Sequence, residues 1–482
     1  MNNSVHPLRE ALTVTAAALV IYILRLAYLD GGAIHQEALS FLRVYSDGRP
    51  FWETIYNPVF NDWLMYQPRE LSYFFDWIDS RFISASIHLG WVHFYSVSCL
   101  FAVVATVFIQ QYGTRKCFPR IDGRLVSLVS LIWVLMPLTT LCYYRSAKPF
   151  TALFLTAACF LSFELFRSLR EEKQCGLILF LLTLALLLMT LCDRQGAFFA
   201  ALYASFCGFL MMISSRLRWL KNRRLLAEVA CISWGIVFFG MIYNLFISPS
   251  LIYWLNGYVP DFNYQYTKPG DAFQFADGIE FIANAFGLFF TGRSSWFGIS
   301  AGILCAFLMF VSLLPIRNLR GVRILAPALM IFSLAALIPC ANVMAVKCEA
   351  ILMPEALGNG SYASPMLALL VCFLFYVLHR SESRRWKLLW SIILSLSLIG
   401  HLLLYIPVSG GYPAAFEQYW GNAYSEEVRT VKFLLKHPEE DYRKYTLSYR
   451  SILLIRQMRG LPPFEDENRA YYYLRLYRGI RL

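Results

Sequence analysis

Between two of the most apolar stretches of the chain, GLILFLLTLALLLMT and AFFAALYASFCGFLMMI, lie four residues of another character: Asp193, Arg194, Gln195 and Gly196. An acid, a guanidinium and an amide are costly to place in hydrocarbon. A joint that keeps all three therefore lies where water reaches it. Other short polar joints hold Arg145 and Lys148, in CYYRSAKPF, and Lys347, in VMAVKCEA, while Arg293 ends a longer one. Opposite them in sign stand carboxylates that follow the first apolar run, Asp30, Glu37 and Asp62 foremost. Carboxylates can take a proton from a hydroxyl, and such cations can hold an anion such as a phosphate. The plainer readings stay open beside these: a carboxylate capping a helix or turn, a cation whose stem lies in lipid and whose head reaches water.

The elements that must position these groups are membrane helices. Of the 482 residues 58% are hydrophobic and only 15% charged, where a soluble chain would carry about 25% charge. Runs long enough to cross a hydrocarbon core, roughly 20 residues, recur from end to end. They predict eleven spans, near residues 11–29, 92–110, 125–143, 149–166, 176–192, 197–214, 226–247, 297–314, 323–345, 362–378 and 388–406. The fold class is an all-α polytopic membrane protein. Its transmembrane domain covers residues 1–406 and is followed by a small unit over 407–482. The first span is too long for a removable signal peptide, and Arg25 is expected to reach the interface at its far end.

Positive loops are retained in the cytoplasm. The even-numbered loops hold Arg115, Lys116, Arg120, Arg124, Arg167, Arg170, Lys173, Arg216, Arg218, Lys221, Arg223, Arg224, Arg317, Arg320, Arg323, Arg380, Arg384, Arg385 and Lys387. The short odd loops hold only Arg145, Lys148, Arg194 and Lys347. This bias puts the N-terminus in the cytoplasm and the tail outside. It also accounts for the net charge of +12 without a nucleic-acid partner. The twelve cysteines include no C-x-x-C pair and read as small buried residues, not as a disulfide framework or zinc site.

The outward side therefore collects the polar residues that topology does not explain. Its first loop, 30–91, contains QEALSFLRVY and ELSYFFDWIDSRFISASI, each with apolar residues at helical spacing. These predict interfacial helices, with Tyr73, Phe74, Trp77 and Ile78 in the interface and Asp76 and Asp79 turned to water. The second long loop, 248–296, is dense in aromatic residues and carries Asp261, Asp271 and Asp277. They suit a sugar or, equally, an aromatic membrane belt. Within it FADGIEFIANAFGLFF is expected to lie flat on the surface near Arg293.

The order of motifs resembles the GT-C superfamily of membrane glycosyltransferases, which use polyprenyl-phosphate sugars, and in particular its protein-mannosyltransferase-like members. The motifs are Gln36-Glu37, Gly48-Arg49-Pro50-Phe51, Asn61-Asp62-Trp63 and Tyr66-Gln67-Pro68-Arg69-Glu70-Leu71-Ser72 in the first loop. CYYRSAKPFTALFL, LCDRQGAFF and, before a late span, SYASPMLAL with Tyr362 follow in the family's order. The resemblance covers about the first two hundred residues and this late fragment.

The resemblance implies a GT-C fold and inverting transfer of a sugar on the outer face. The donor would be a polyprenyl-phosphate-linked sugar, the acceptor a glycan, lipid or protein, and the setting a bacterial inner membrane with its lipids as partners. Glu37 or Asp62, with Asp30 third, would act as base. Arg194, Lys148, Arg145, Arg293 and Lys347 would hold the donor phosphate, with Asp193, Gln195, Gly196, Arg69 and Tyr362 shaping the loops. Gln36 stands where the family has its leading acid. Lys148 and Asp193-Arg194 exchange the family's charges, an exchange that predicts a Lys148–Asp193 ion pair and removes two carboxylates from a divalent metal ion, the one cofactor left open. Two other readings fit the same residues: a transporter of lipid or lipid-linked glycan, and an inactive GT-C relative serving as an assembly subunit.

Overall fold

The computed structural model describes residues 7–28, 51–52, 70–90, 96–136, 147–171, 175–213, 223–256, 275–293, 296–313, 363–380, 383–407, 427, 429–447 and 449–461. Among the described residues the chain is helical almost throughout and has no β-strand. The helices are α1 (Pro7–Tyr28), α2 (Glu70–His88), α3 (Val97–Cys117), α4 (Gly123–Leu135), α5 (Ala147–Glu171), α6 (Gly176–Cys192) and α7 (Arg194–Ile213). They continue as α8 (Arg223–Ile242), α9 (Ser248–Asn256), α10 (Phe275–Thr291), α11 (Trp296–Leu313), α12 (Ser364–Arg380), α13 (Arg384–Leu403) and α14 (Tyr449–Met458).

Among the described residues five segments are long and apolar enough to cross a membrane: Pro7–Arg25, Val97–Cys117, Lys148–Ser168, Arg224–Leu251 and Arg384–Leu403. The bent pair α10–α11 makes a sixth if it is one span. This is an all-α membrane protein. Ten of the eleven expected segments overlap described helices, many of them too short to pass that length test; residues 323–345 lie outside the described residues.

Local chemistry sets the ends. Ser96 caps α3, its hydroxyl accepting from Cys99 N–H at 3.0 Å, so this helix starts at Val97 and not at residue 92. At its far end Gln110 and Gln111 are tolerated because the Ser130 hydroxyl donates to Gln110 at 3.0 Å and accepts from Gln111 at 2.9 Å. The helix α4 stops eight residues before the expected end of its span. Met136 is extended (φ −59°, ψ 132°) because it precedes Pro137, whose ring excludes the helical region for its neighbour. At α8 a π-turn over Tyr243–Ile247 leads into α9. Pro249, which cannot continue the regular hydrogen-bond ladder, accounts for it.

The bundle is built around α12, of whose 17 residues 13 are buried, and which packs on α5, α10 and α11. One end of the bundle carries the basic residues: Glu10 pairs with Arg115, Lys116 with Glu164 at 3.5 Å, and Arg167 donates to Lys116 O at 3.4 Å. The start of α1 and the ends of α3 and α5 thus meet there. The opposite end holds Arg25, Ser96, Leu135, Lys148 and Asp193.

Helix α10 does not lie on the surface as its sequence suggests. Ile282, Ala283, Ala285, Leu288, Phe289 and Phe290 are buried, and α10 meets α11 at 94°. Glycines allow this. A Cβ on Gly287 would stand 2.1 Å from Gly298 O, and one on Gly302 would stand 2.6 Å from Gly287 N.

Candidate functional site

The joint between α6 and α7 is one residue long. Asp193 is extended (φ −161°, ψ 152°), and its carbonyl already accepts the first helical bond of α7, from Ala197 N–H at 3.3 Å. The polar joint of four residues read from the sequence is therefore shorter than its motif, Asp193 alone linking the two helices. Arg194, Gln195 and Gly196 form the first turn of α7, whose leading N–H groups have no partner within the helix. Gly196 is required by proximity and not by a left-handed turn: a Cβ there would lie 1.8 Å from Met189 O.

The ion pair expected across the third and fifth loops is formed. Lys148, in the first turn of α5, donates to Asp193 Oδ2, and both residues are 4% exposed. A cation at a helix N-terminus opposes the helix dipole, whereas Asp193 at the start of α7 complements it. Two buried charges are held here because each neutralises the other.

Above this pair lies α2. Phe75 stacks on Phe150, their rings 3.7 Å apart and 2° from parallel, within an apolar cluster that includes Cys192. Asp76 is buried and within electrostatic reach of Cys192. Asp79 accepts from the Ser96 hydroxyl and, at 2.9 Å each, from the Ser98 N–H and hydroxyl. These donors sit at the N-terminus of α3, where a carboxylate is favoured. Burial nevertheless pushes the Asp79 carboxyl up to about 7, against the pull of those hydrogen bonds. At the other end of α2, Glu70 accepts from Ser248 of α9 at 2.7 Å.

The expectation that Asp76 and Asp79 face water is thus overturned. Ser72, Asp76, Asp79 and Ser80 are spaced to fall on one helical face, and that face is turned into the protein. The stripe was legible in the sequence; its direction was not, because its partners come from Ser96 and Ser98, beyond the helix.

A second polar group joins α1, α4, α10 and α13. Arg25 is buried, donates to Val134 O, and lies over the rings of Tyr22 (5.3 Å) and Tyr405 (5.8 Å). The Tyr405 hydroxyl donates to Leu135 O at 2.8 Å. Both bonds end on carbonyls left open where α4 stops before Pro137. His401 Nε2 lies 2.8 Å from Phe289 O. Arg25 therefore caps α4 and does not reach for the interface.

Among the other candidates, Arg293 is exposed in the elbow between α10 and α11, its N–H donating to Thr291 Oγ1 at 3.2 Å. Gly292 before it has φ +70° and packs beside His401 and Leu404. Asp30, Gln36, Glu37, Asp62, Arg69, Arg145, Lys347 and Tyr362 lie outside the described residues. Among the described residues no three His, Cys, Asp or Glu side chains gather as a metal-binding group, and Asp193 pairs with Lys148.

Compared with protein-family models, characterised proteins and solved structures, the chain matches none.

Proposed function

We propose that this chain is a GT-C-type membrane glycosyltransferase of eleven spans, with its N-terminus in the cytoplasm, its tail outside and its site on the outer face. It transfers a sugar with inversion from a polyprenyl phosphate to an acceptor hydroxyl. The observation that carries the proposal is the buried Lys148–Asp193 pair beneath α2. It joins two of the segments whose order resembles that superfamily, and it sits at the bundle end opposite the basic loops.

In this reading Glu37 or Asp62, with Asp30 third, takes the proton of the acceptor hydroxyl as its oxygen attacks the anomeric carbon. The bond from that carbon to the phosphate oxygen breaks, and the electron pair leaves with the phosphate. Arg194 and the open N–H groups of α7 stabilise the departing charge, with Arg145, Arg293 and Lys347 as further cations. Lys148, already neutralised by Asp193, fixes the start of α5 against α7 and leaves the phosphate to the others.

The test is transfer of radiolabelled sugar from polyprenyl-phosphate donors by purified protein. Glu37→Gln or Asp62→Asn should lower turnover by about a hundredfold, and Arg194→Ala should weaken donor binding more than Arg194→Lys. Wild-type turnover in both acid variants removes the base from these positions. One observation favours a transporter instead: the 94° bend of α10–α11 is a broken helix of the kind that lines transport sites. Donor movement across vesicles without sugar transfer would decide for it.

A further inference from the structure

A helix leaves its last carbonyls without partners of its own. At the end of α10 one of them, Phe289 O, is met by His401 Nε2 at 2.8 Å. A carbonyl only accepts, so Nε2 carries the proton and donates it here. The imidazole is wholly buried. Its Nδ1 side faces Gly292, where an added Cβ would lie 3.0 Å from Nδ1 and 2.3 Å from Leu404 Cδ1. His401 of α13 thus meets the elbow twice, at the carbonyl before it and at the glycine within it.

Arg293 follows at once. Its N–H donates to Thr291 Oγ1 at 3.2 Å, and that hydroxyl donates to Gly287 O at 2.7 Å, one turn back in α10. Its carbonyl lies against Gly298 of α11, so close that a Cβ there would stand 2.1 Å away. The backbone of Arg293 is therefore held from both helices, while its side chain is exposed. A cation after the C-terminus of α10 suits the dipole of that helix, but a cation on a loose turn would serve that purpose as well. A fixed backbone, supported by a buried side chain from a third helix, is what an oriented contact needs.

We infer that His401 is a positioning residue. With Thr291 it fixes the elbow, so that the Arg293 guanidinium is held where it meets the phosphate of a lipid-linked donor. The inference rests on the proposed lipid-phosphate donor and adds the residue that sets one of its cations in place.

The test separates position from stability by a double-variant cycle. Full-length protein in lipid nanodiscs is assayed for binding of radiolabelled polyprenyl phosphate. Arg293→Ala should weaken binding about tenfold through loss of one charge-assisted contact. His401→Phe keeps a ring and loses the donor. It should weaken binding about threefold or more in the parent protein and not at all in Arg293→Ala. His401→Gln, whose amide N–H can take the place of Nε2–H, should bind as the parent does. Parental affinity in His401→Phe or in Arg293→Ala overturns the inference and leaves the transferase reading standing. A loss from His401→Phe that is undiminished in Arg293→Ala, or shared by His401→Gln, does the same. A parent protein that binds no polyprenyl phosphate overturns both. Should His401→Phe not fold, Thr291→Val takes the acceptor from Arg293 N–H with little change of shape. It should weaken binding in the parent and not in Arg293→Ala, and unchanged binding in the parent overturns the inference.

Discussion

Lys148 and Asp193, 45 residues apart in the chain, form a buried ion pair that fastens the start of α5 to the single-residue joint of α6 and α7. Removing one partner of such a pair leaves a charge in a dry site, at a cost of about 3–5 kcal/mol. Lys148→Met or Asp193→Ala should therefore lower the unfolding midpoint of the detergent-solubilised protein sharply. The exchange Lys148→Asp with Asp193→Lys should recover part of the loss, though the ammonium it sets before α7 would oppose the dipole of that helix. Equal midpoints for the single variants and the exchange would mean that the two charges do not stabilise one another.

Gly287 should be intolerant where Gly235 is not. A methyl group on Gly287 would run into Gly298 O, at 2.1 Å, while one on Gly235 meets nothing within 4 Å. Overpacking of this kind costs about 1–3 kcal/mol. In Gly287→Ala the elbow must open, which limited proteolysis near Arg293 would report as faster cleavage. Gly235→Ala should match the parent protein. If Gly287→Ala also matches it, the two helices do not cross at their glycines.

The helical character of the chain and its polar joints were legible because both follow from local composition. A run such as Gly176–Cys192 must leave water, and the charges that follow it mark where that helix ends, although Asp193 itself is buried against Lys148 and not wetted as its charge suggested. The Lys148–Asp193 pair was legible too, through two charges exchanged together. What escaped was set by partners distant in sequence. The direction of α2 depends on Ser96 and Ser98, the burial of α10 on glycines in α11, and the position of Arg25 on carbonyls freed by Pro137. A hydrophobic pattern tells that a helix has two faces. It does not tell which face meets lipid when the interior is itself polar.

The proposed orientation predicts what reagents can reach from each side of a sealed vesicle. Single cysteines at Asp47, Gly270 and Glu440 should react with a membrane-impermeant maleimide from the outside. Cysteines at Arg120 and Arg218 should react only after the membrane is opened. The argument is the concentration of Lys and Arg in alternate loops, and the structure adds that Arg115, Lys116 and Arg167 share one end of the bundle. Labelling of Glu440 from the cytoplasmic side would change the number of spans by one and put the tail on the face opposite the proposed site.

Asp79 gives the hold of α2 a pH window. Packed against the bundle, its carboxyl is buried and raised to about 7; when α2 frays and Asp79 meets water, as in the local unfolding that hydrogen exchange reads, it returns towards its ordinary value of 3.8. Tyr22 of α1 and Cys99 of α3 face the same cluster, with Asp76 on α2 itself; Arg25 lies beyond Tyr22. The packed helix binds the proton more tightly, so packing is most favoured below about pH 4. That advantage is lost as pH rises through about 7, where packing α2 must bury a charge. Hydrogen exchange of the α2 amides, corrected for the intrinsic pH dependence of exchange, should therefore be slower at pH 5 than at pH 8. Asp79→Asn, which resembles the protonated acid in shape and carries no charge, should exchange slowly at both. Protection in the parent protein that is equal at the two pH values, or greater at pH 8, would show that the serine donors outweigh burial. Ser96 and Ser98 would then hold a carboxylate throughout, and pH would not govern α2.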